Sequence, residues 1–155
     1  MLPIEQIHPL IVHFPIVFAL SLAAFDFVVV SRGVSLDGRG AIANISAGLG
    51  LGAGLAAAVA FVFGDLALDV ALANGTSLAI LETHEEFGHI AAGVLVAWGL
   101  LRAVIWWRGT VLSRRLCWGA VVFELAIAGL IVTTAYFGGQ LVYEFGVGVS
   151  LPSGL

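Results

Sequence analysis

Residues 9–31 read PLIVHFPIVFALSLAAFDFVVVS, and Asp26 is the one residue among them that carries a formal charge. A helix needs about 20 predominantly apolar residues to cross the hydrocarbon core of a bilayer. The stretch is long enough, so it predicts a transmembrane helix. No basic residue precedes it, whereas a cleavable signal sequence begins with a basic region. We therefore expect this block to be retained as a span.

Three further apolar blocks of similar length follow, at residues 41–64, 84–107 and 113–137. The chain of 155 residues is 61% hydrophobic and only 10% charged, whereas soluble domains carry about 25% charged residues. The length leaves no room for a separate soluble module. The sequence therefore predicts an all-α protein, a single transmembrane four-helix bundle over residues 1–155.

The basic residues indicate how the bundle is oriented. There is no lysine, and five of the six arginines fall in the loops after the first and third blocks: Arg32, Arg39, Arg108, Arg114 and Arg115. Loops rich in basic residues stay in the cytoplasm. We therefore expect both termini, and the long connection at residues 65–83, on the outer side.

Local signals predict the ends of the helices. The connection at 65–83 combines acidic residues with an apolar run, Leu66, Leu68, Val70 and Leu72, which predicts a short amphipathic helix at the membrane interface. Thr83 and Glu86 match a capping box and predict that the third helix begins there. Gly138 and Gly139 predict the end of the fourth helix, and residues 140–149 are expected to fold back over the outer end.

Two features inside the spans concern packing. Residues 48–54 read GLGLGAG, and small residues at such spacing let neighbouring helices approach closely. The same residues would also make room for a flat cofactor. Pro15 predicts a kink in the first helix, which frees the carbonyl group of Ile11.

The four histidines are the candidate functional residues: His8, His13, His84 and His89. The first and third helices run in the same direction, so all four histidines are expected at the outer end of the bundle. With a rise of about 1.5 Å per residue, His13 and His89 lie roughly 6 to 8 Å below their helix starts. Ionisable groups at that depth are usually functional. We expect His13 with His89 as the main ligand pair, and His8 with His84 as a second or supporting pair.

Haem b fits this inventory best, because it needs two opposing axial ligands and an apolar, small-residue surround. One or two haems would bind near the outer face. Gly93, one turn beyond His89, and Tyr136, near the outer end of the fourth helix, are expected to contact the cofactor. The inner end has no histidine, so electron exchange is expected at the outer face alone.

Two alternatives stay open. The same histidines, with Glu86 in a Glu-x-x-His pattern, would bind a non-haem iron or copper ion. The chain would otherwise be a cofactor-free structural or assembly subunit with interfacial histidines. No nucleophile–base pair, phosphate loop or nucleic-acid patch is present, so we do not expect it to be an enzyme by itself.

Three other ionisable residues fall within the spans. Asp26 and Arg102 lie at similar depths near the inner end, so we expect a buried ion pair between them. Glu124 falls near the middle of the fourth helix. It is expected to be a hydrogen-bonded core residue, or else part of a proton or quinone site.

The two ends of the chain carry a family resemblance. The opening at residues 8–16, HPLIVHFPI, and the close at 138–149, GGQLVYEFGVGV, resemble the bacterial domain of unknown function 2231, a predicted four-helix membrane family. The resemblance implies a multi-pass protein of the bacterial inner membrane with a histidine at the start of its third helix, which either His84 or His89 would supply.

Some relatives are fused to cytochrome c-like or Rieske-like domains, which implies a role in electron transfer. The implied partners are other membrane subunits of an electron-transfer complex and a periplasmic cytochrome c or Rieske-type protein. A quinone is a further candidate.

Overall fold

A computed structural model describes residues 4–149, with the side chains described from residue 7 onward. The described residues form five α-helices and no strand. These are α1 (Ile4–Ile11), α2 (His13–Ser31), α3 (Ala41–Ala73), α4 (Leu78–Arg108) and α5 (Arg114–Tyr143). Helices α1 and α2 together supply one apolar span, Ile7–Ser31, and α3, α4 and α5 supply three more. The prediction of an all-α bundle with four transmembrane helices is confirmed.

The break between α1 and α2 falls at Val12. Pro15 has no N–H group to donate to the carbonyl of Ile11, so the helical hydrogen-bond ladder is interrupted there. The predicted irregularity in the first span is thus present.

The long helices form a closed ring, in which α2 contacts α3 and α5, and α4 contacts the same two helices. Helix α1 packs mainly on α3. Helices α2 and α4 therefore lie diagonally opposite each other, and their starts meet at one end of the bundle. We call this the histidine end, and the opposite end, which holds the loops with Arg32, Arg39, Arg108, Arg114 and Arg115, the arginine end.

Close packing of α3 on α4 depends on glycine. A Cβ atom at Gly99 would lie 2.5 Å from the carbonyl oxygen of Gly50, and one at Gly54 would lie 3.0 Å from the carbonyl oxygen of Leu95. Any side chain at Gly99 would push the helices apart. The packing interpretation of the glycine-rich stretch is confirmed.

Three predicted boundaries at the histidine end are wrong. Residues 66–72 are not a separate interfacial helix, because α3 continues without a break to Ala73. Helix α4 begins at Leu78 with Ser77 as its N-cap, so Thr83 is an interior residue. Helix α5 passes through Gly138 and Gly139 and ends at Tyr143. The 33 residues of α3 give it a length of about 50 Å, well beyond the hydrocarbon thickness of about 30 Å.

These extensions matter for the site. The extra turns of α3, α4 and α5 contribute Leu68, Leu81 and Leu141 to the walls of a cavity at the histidine end. Tertiary contacts between these walls outweigh the weak helix preference of the two glycines in α5.

A paired histidine site at one end of the bundle

A cavity of about 770 Å³ occupies the histidine end of the bundle. All four histidines line it, with residues from α1, α2, α3, α4, α5 and the segment that follows α5. The prediction that parallel first and third helices gather every histidine at one end is confirmed. A cavity of this size lies within the range of about 300 to 1,000 Å³ that is typical of ligand and cofactor sites.

His8 is fixed by α3. Its Nδ1 lies 3.0 Å from the carbonyl oxygen of Ala60. A carbonyl oxygen only accepts, so Nδ1 carries the proton and donates it. One turn further along α3, a Cβ atom at Gly64 would lie 3.1 Å from Cε1 of His8. The absence of a side chain at Gly64 therefore makes room for the imidazole ring.

His84 is fixed by α5 in the same manner. Its Nδ1 lies 3.1 Å from the carbonyl oxygen of Thr134 and donates to it. Four residues later, a Cβ atom at Gly138 would lie 2.8 Å from Cε1 of His84. Real side chains essentially never make so short a contact, so this position must be glycine for the ring to keep its place.

The two halves of the chain thus contain the same arrangement. In each half, a histidine of one membrane span donates to a backbone carbonyl of the next span, and its ring packs against a glycine one turn beyond that carbonyl. Each histidine lies 50 or 52 residues before its carbonyl partner. This repeat has a signal in the sequence. His8 is followed at that distance by Ala60, and His84 by Thr134, and in both cases a glycine comes four positions later.

The rings of His8 and His84 lie next to each other in the cavity. Their centroids are 6.4 Å apart and their planes cross at 76°, an edge-to-face arrangement. Each ring is half-buried. In each, Nδ1 is engaged by a carbonyl group, and Nε2 makes no hydrogen bond to the described residues. A carbonyl on one ring nitrogen and a metal on the other is the usual arrangement of a metal-ligating histidine. With metal–nitrogen bonds of about 2.0 to 2.1 Å, a metal between two opposed imidazoles separates the ring centres by about 6 Å.

His13 and His89 are more open. Both are exposed, although both line the cavity. Nε2 of His89 lies 3.3 Å from Oδ1 of Asp65, and its ring rests against Phe61 with 5.0 Å between centroids. The expectation that His89 is better buried than His84 is wrong, because α4 begins a turn and a half earlier than predicted and places His84 inside the bundle.

Other predicted contacts fall outside the cavity. Gly93 and Tyr136 are exposed, and neither is among the residues that line the cavity. Tyr136 instead packs against Phe137. Glu86 is also exposed and outside the lining. Among the side chains of residues 7–149 there is no group of three or more His, Cys, Asp or Glu residues that would hold a metal ion together.

The start of the first span and the end of α5, where His8 and Gly138 lie, are the two segments on which the family resemblance rests. A family model described as a predicted membrane protein, DUF2231, matches residues 5–151. The chain belongs to the DUF2231 family. No curated protein and no solved structure is significantly similar to it.

A second polar cluster lies deeper in this DUF2231 protein, toward the arginine end. Arg102 Nη2 donates to Oδ2 of Asp26 at 2.7 Å, and both side chains are almost fully buried. Ser46 Oγ donates to the same carboxylate at 2.6 Å and 2.8 Å. The predicted ion pair between Asp26 and Arg102 is confirmed. Glu124 is 2% exposed and accepts a hydrogen bond of 3.1 Å from Nε1 of Trp98.

Charge is distributed unevenly over the surface of the DUF2231 protein. The histidine end carries exposed acids on α3, on α4 and directly after α5: Asp65, Asp69, Glu82, Glu86 and Glu144. No arginine or lysine lies at this end among the described residues, since every loop arginine is at the other end. The mouth of the cavity therefore lies in a negative field.

Proposed function

We propose that this DUF2231 protein is a membrane-embedded b-type haem electron-transfer subunit, with His8 and His84 as the axial ligands. The observation that carries the proposal is the pair of neighbouring imidazoles, each held by a backbone carbonyl. Two half-buried rings 6.4 Å apart, each oriented by a backbone carbonyl through Nδ1, present the donors that a six-coordinate haem iron needs.

The cavity supports a porphyrin rather than a bare ion. A metal ion with two ligands needs little space, whereas this cavity measures about 770 Å³. Much of its lining is apolar or small, which suits the faces of a porphyrin. Such residues come from every wall, among them Val12, Ile16, Ala57, Leu81, Leu95 and Ile131.

The cavity also offers hydrogen-bond donors for the propionate edge of a haem. Asn74 and Thr76, in the turn between α3 and α4, line the cavity and offer neutral donors to a propionate. The lining contains the acids Asp65 and Glu85 but no arginine or lysine. We expect the propionates to be held by neutral donors and water, without an ion pair.

A bound haem would supply one-electron chemistry. The chain's own residues would set its ligation, exclude water from its faces and hold it near the histidine end. One ligand pair at one end favours exchange with a partner at that surface over a conduit across the membrane. The acidic surface there favours a basic partner, such as a periplasmic cytochrome c, within a complex of other membrane subunits.

A reduced-minus-oxidised optical spectrum of protein purified with its cofactor tests the proposal. We expect a b-type α-band, with about one haem per chain by pyridine haemochrome assay. Purified protein without porphyrin would refute the haem proposal. Stoichiometric copper or iron by elemental analysis in that material would instead favour the second candidate, an ion bound by the same two Nε2 atoms.

A further inference from the structure

Glu124 on α5 is buried, and one of its two carboxyl oxygens lacks a hydrogen-bond partner among the described residues. Its Oε1 accepts the hydrogen bond from Trp98, whereas its Oε2 has no hydrogen-bond partner among the described residues. The side chain is 2% exposed. A buried polar atom without a partner is unusual in native proteins and points to something that binds there.

The neighbouring charges do not neutralise Glu124. It interacts with Asp26 on α2 and Arg102 on α4, and Ser46 on α3 bridges those two. Arg102 and Asp26 already cancel each other as a direct ion pair. An ionised Glu124 would therefore leave one excess negative charge inside the membrane, which is expensive unless a proton or a nearby positive charge compensates it.

A small void lies against Glu124. It measures about 10 Å³, and its lining includes Glu124, Trp98 and Leu95. Leu95 also lines the large cavity. One side chain thus borders both the void at Glu124 and the space assigned to the cofactor.

We propose that Glu124 is a redox-linked proton site, which takes up one proton when the cofactor in the large cavity is reduced and releases it on oxidation. This rests on the proposed haem function. Ten residues of α5 separate Glu124 from Thr134, the partner of His84, which corresponds to roughly 15 Å along the helix. Charges still interact over that distance inside a protein, more weakly than at direct contact but enough to couple two titrating sites.

The charges balance in both states. A bound haem would supply one positive charge at its centre in the oxidised state, which would compensate an ionised Glu124. It would lose that charge on accepting one electron from a reduced haem or iron–sulfur protein at the histidine end. One proton from bulk water would then bind Oε2 of Glu124 and form a neutral carboxylic acid. Oxidation reverses both transfers.

Electrochemically induced infrared difference spectroscopy on the haem-loaded protein tests this directly. We expect the reduced form to gain a carboxylic acid C=O band that shifts in D₂O and moves when glutamate is labelled with ¹³C at its side-chain carboxyl. Glu124→Gln should lose the band and keep the optical spectrum of the haem. Glu86→Gln, at an exposed acid of the histidine end, should retain both.

A second measurement follows the same coupling. The midpoint potential of the wild-type haem should fall as pH rises, because proton uptake accompanies reduction, and this slope should flatten in Glu124→Gln. Haem-loaded wild-type protein that lacks a labelled-glutamate band and has a pH-independent potential would overturn the inference alone. Protein without haem would overturn the proposed function, and this inference with it.

Discussion

At the scale of the residue, Gly138 has no side chain because the ring of His84 occupies the space where one would be. Gly64 stands in the same relation to His8. From the sequence alone we expected all four histidines at one end of the bundle. We chose His13 and His89 as the main ligand pair by their depth below the predicted helix starts. Helix α4 begins several residues earlier than predicted, at Leu78, so depth counted from the predicted start was not a reliable guide. The contacts that hold His8 and His84 are made to backbone carbonyls, so their trace in the sequence is limited to the glycines four residues beyond, Gly64 and Gly138.

Gly138→Ala is expected to displace the His84 ring, because the new Cβ atom would lie 2.8 Å from Cε1. Overpacking of this kind costs about 1 to 3 kcal/mol. Haem content after purification and thermal unfolding in detergent both measure the effect. Gly139→Ala is the matched control, since nothing lies within 4 Å of its Cβ position. Equal haem content in the two variants would contradict the role given to Gly138.

Asp26→Ala is expected to destabilise the protein strongly, because it leaves the guanidinium group of Arg102 buried without its partner. Breaking a buried ion pair in this way costs about 3 to 5 kcal/mol. Thermal unfolding measures it, with Glu82→Ala at an exposed position as the control, which should change stability by less than about 0.5 kcal/mol. Similar unfolding temperatures for both variants would show that the pair is dispensable.

At the scale of the element, the number and approximate place of the four spans followed from blocks of apolar residues, whereas their ends at the histidine side did not. The acidic residues in 65–83 suggested that the long helices stop there, yet α3 continues to Ala73 and α4 already begins at Leu78. Glycines 138 and 139 suggested an end, yet α5 continues because Leu141 beyond them is buried. Packing between extended helices decides these boundaries, and local propensity does not reveal it.

Gly99→Ala is expected to weaken the contact between α3 and α4, because its Cβ atom would lie 2.5 Å from the carbonyl oxygen of Gly50. The helices would have to separate, at a cost of about 1 to 3 kcal/mol. Gly93→Ala on the same helix meets nothing within 4 Å and should leave the unfolding temperature unchanged or slightly raised. A Gly99→Ala variant as stable as Gly93→Ala would contradict the close approach of the two backbones.

At the scale of the whole molecule, charge and chemistry divide between two ends. One end holds the histidines and exposed acids, and the other holds the arginine loops. The positive-inside rule predicts that the arginine end faces the cytoplasm. A membrane-impermeant thiol reagent applied to spheroplasts should therefore label Ser77→Cys, in the turn between α3 and α4, but not Val111→Cys between α4 and α5. Buried Cys117 should not react. The reverse pattern would place the proposed haem on the cytoplasmic side.

Optical and electron paramagnetic resonance spectra of four alanine variants identify the axial ligands of the haem. Wild-type protein should contain low-spin haem. His8→Ala and His84→Ala should each lose haem or convert it to a high-spin form, whereas His13→Ala and His89→Ala should keep the low-spin signals. Low-spin haem that persists in both His8→Ala and His84→Ala would show that these two imidazoles are not the axial ligands.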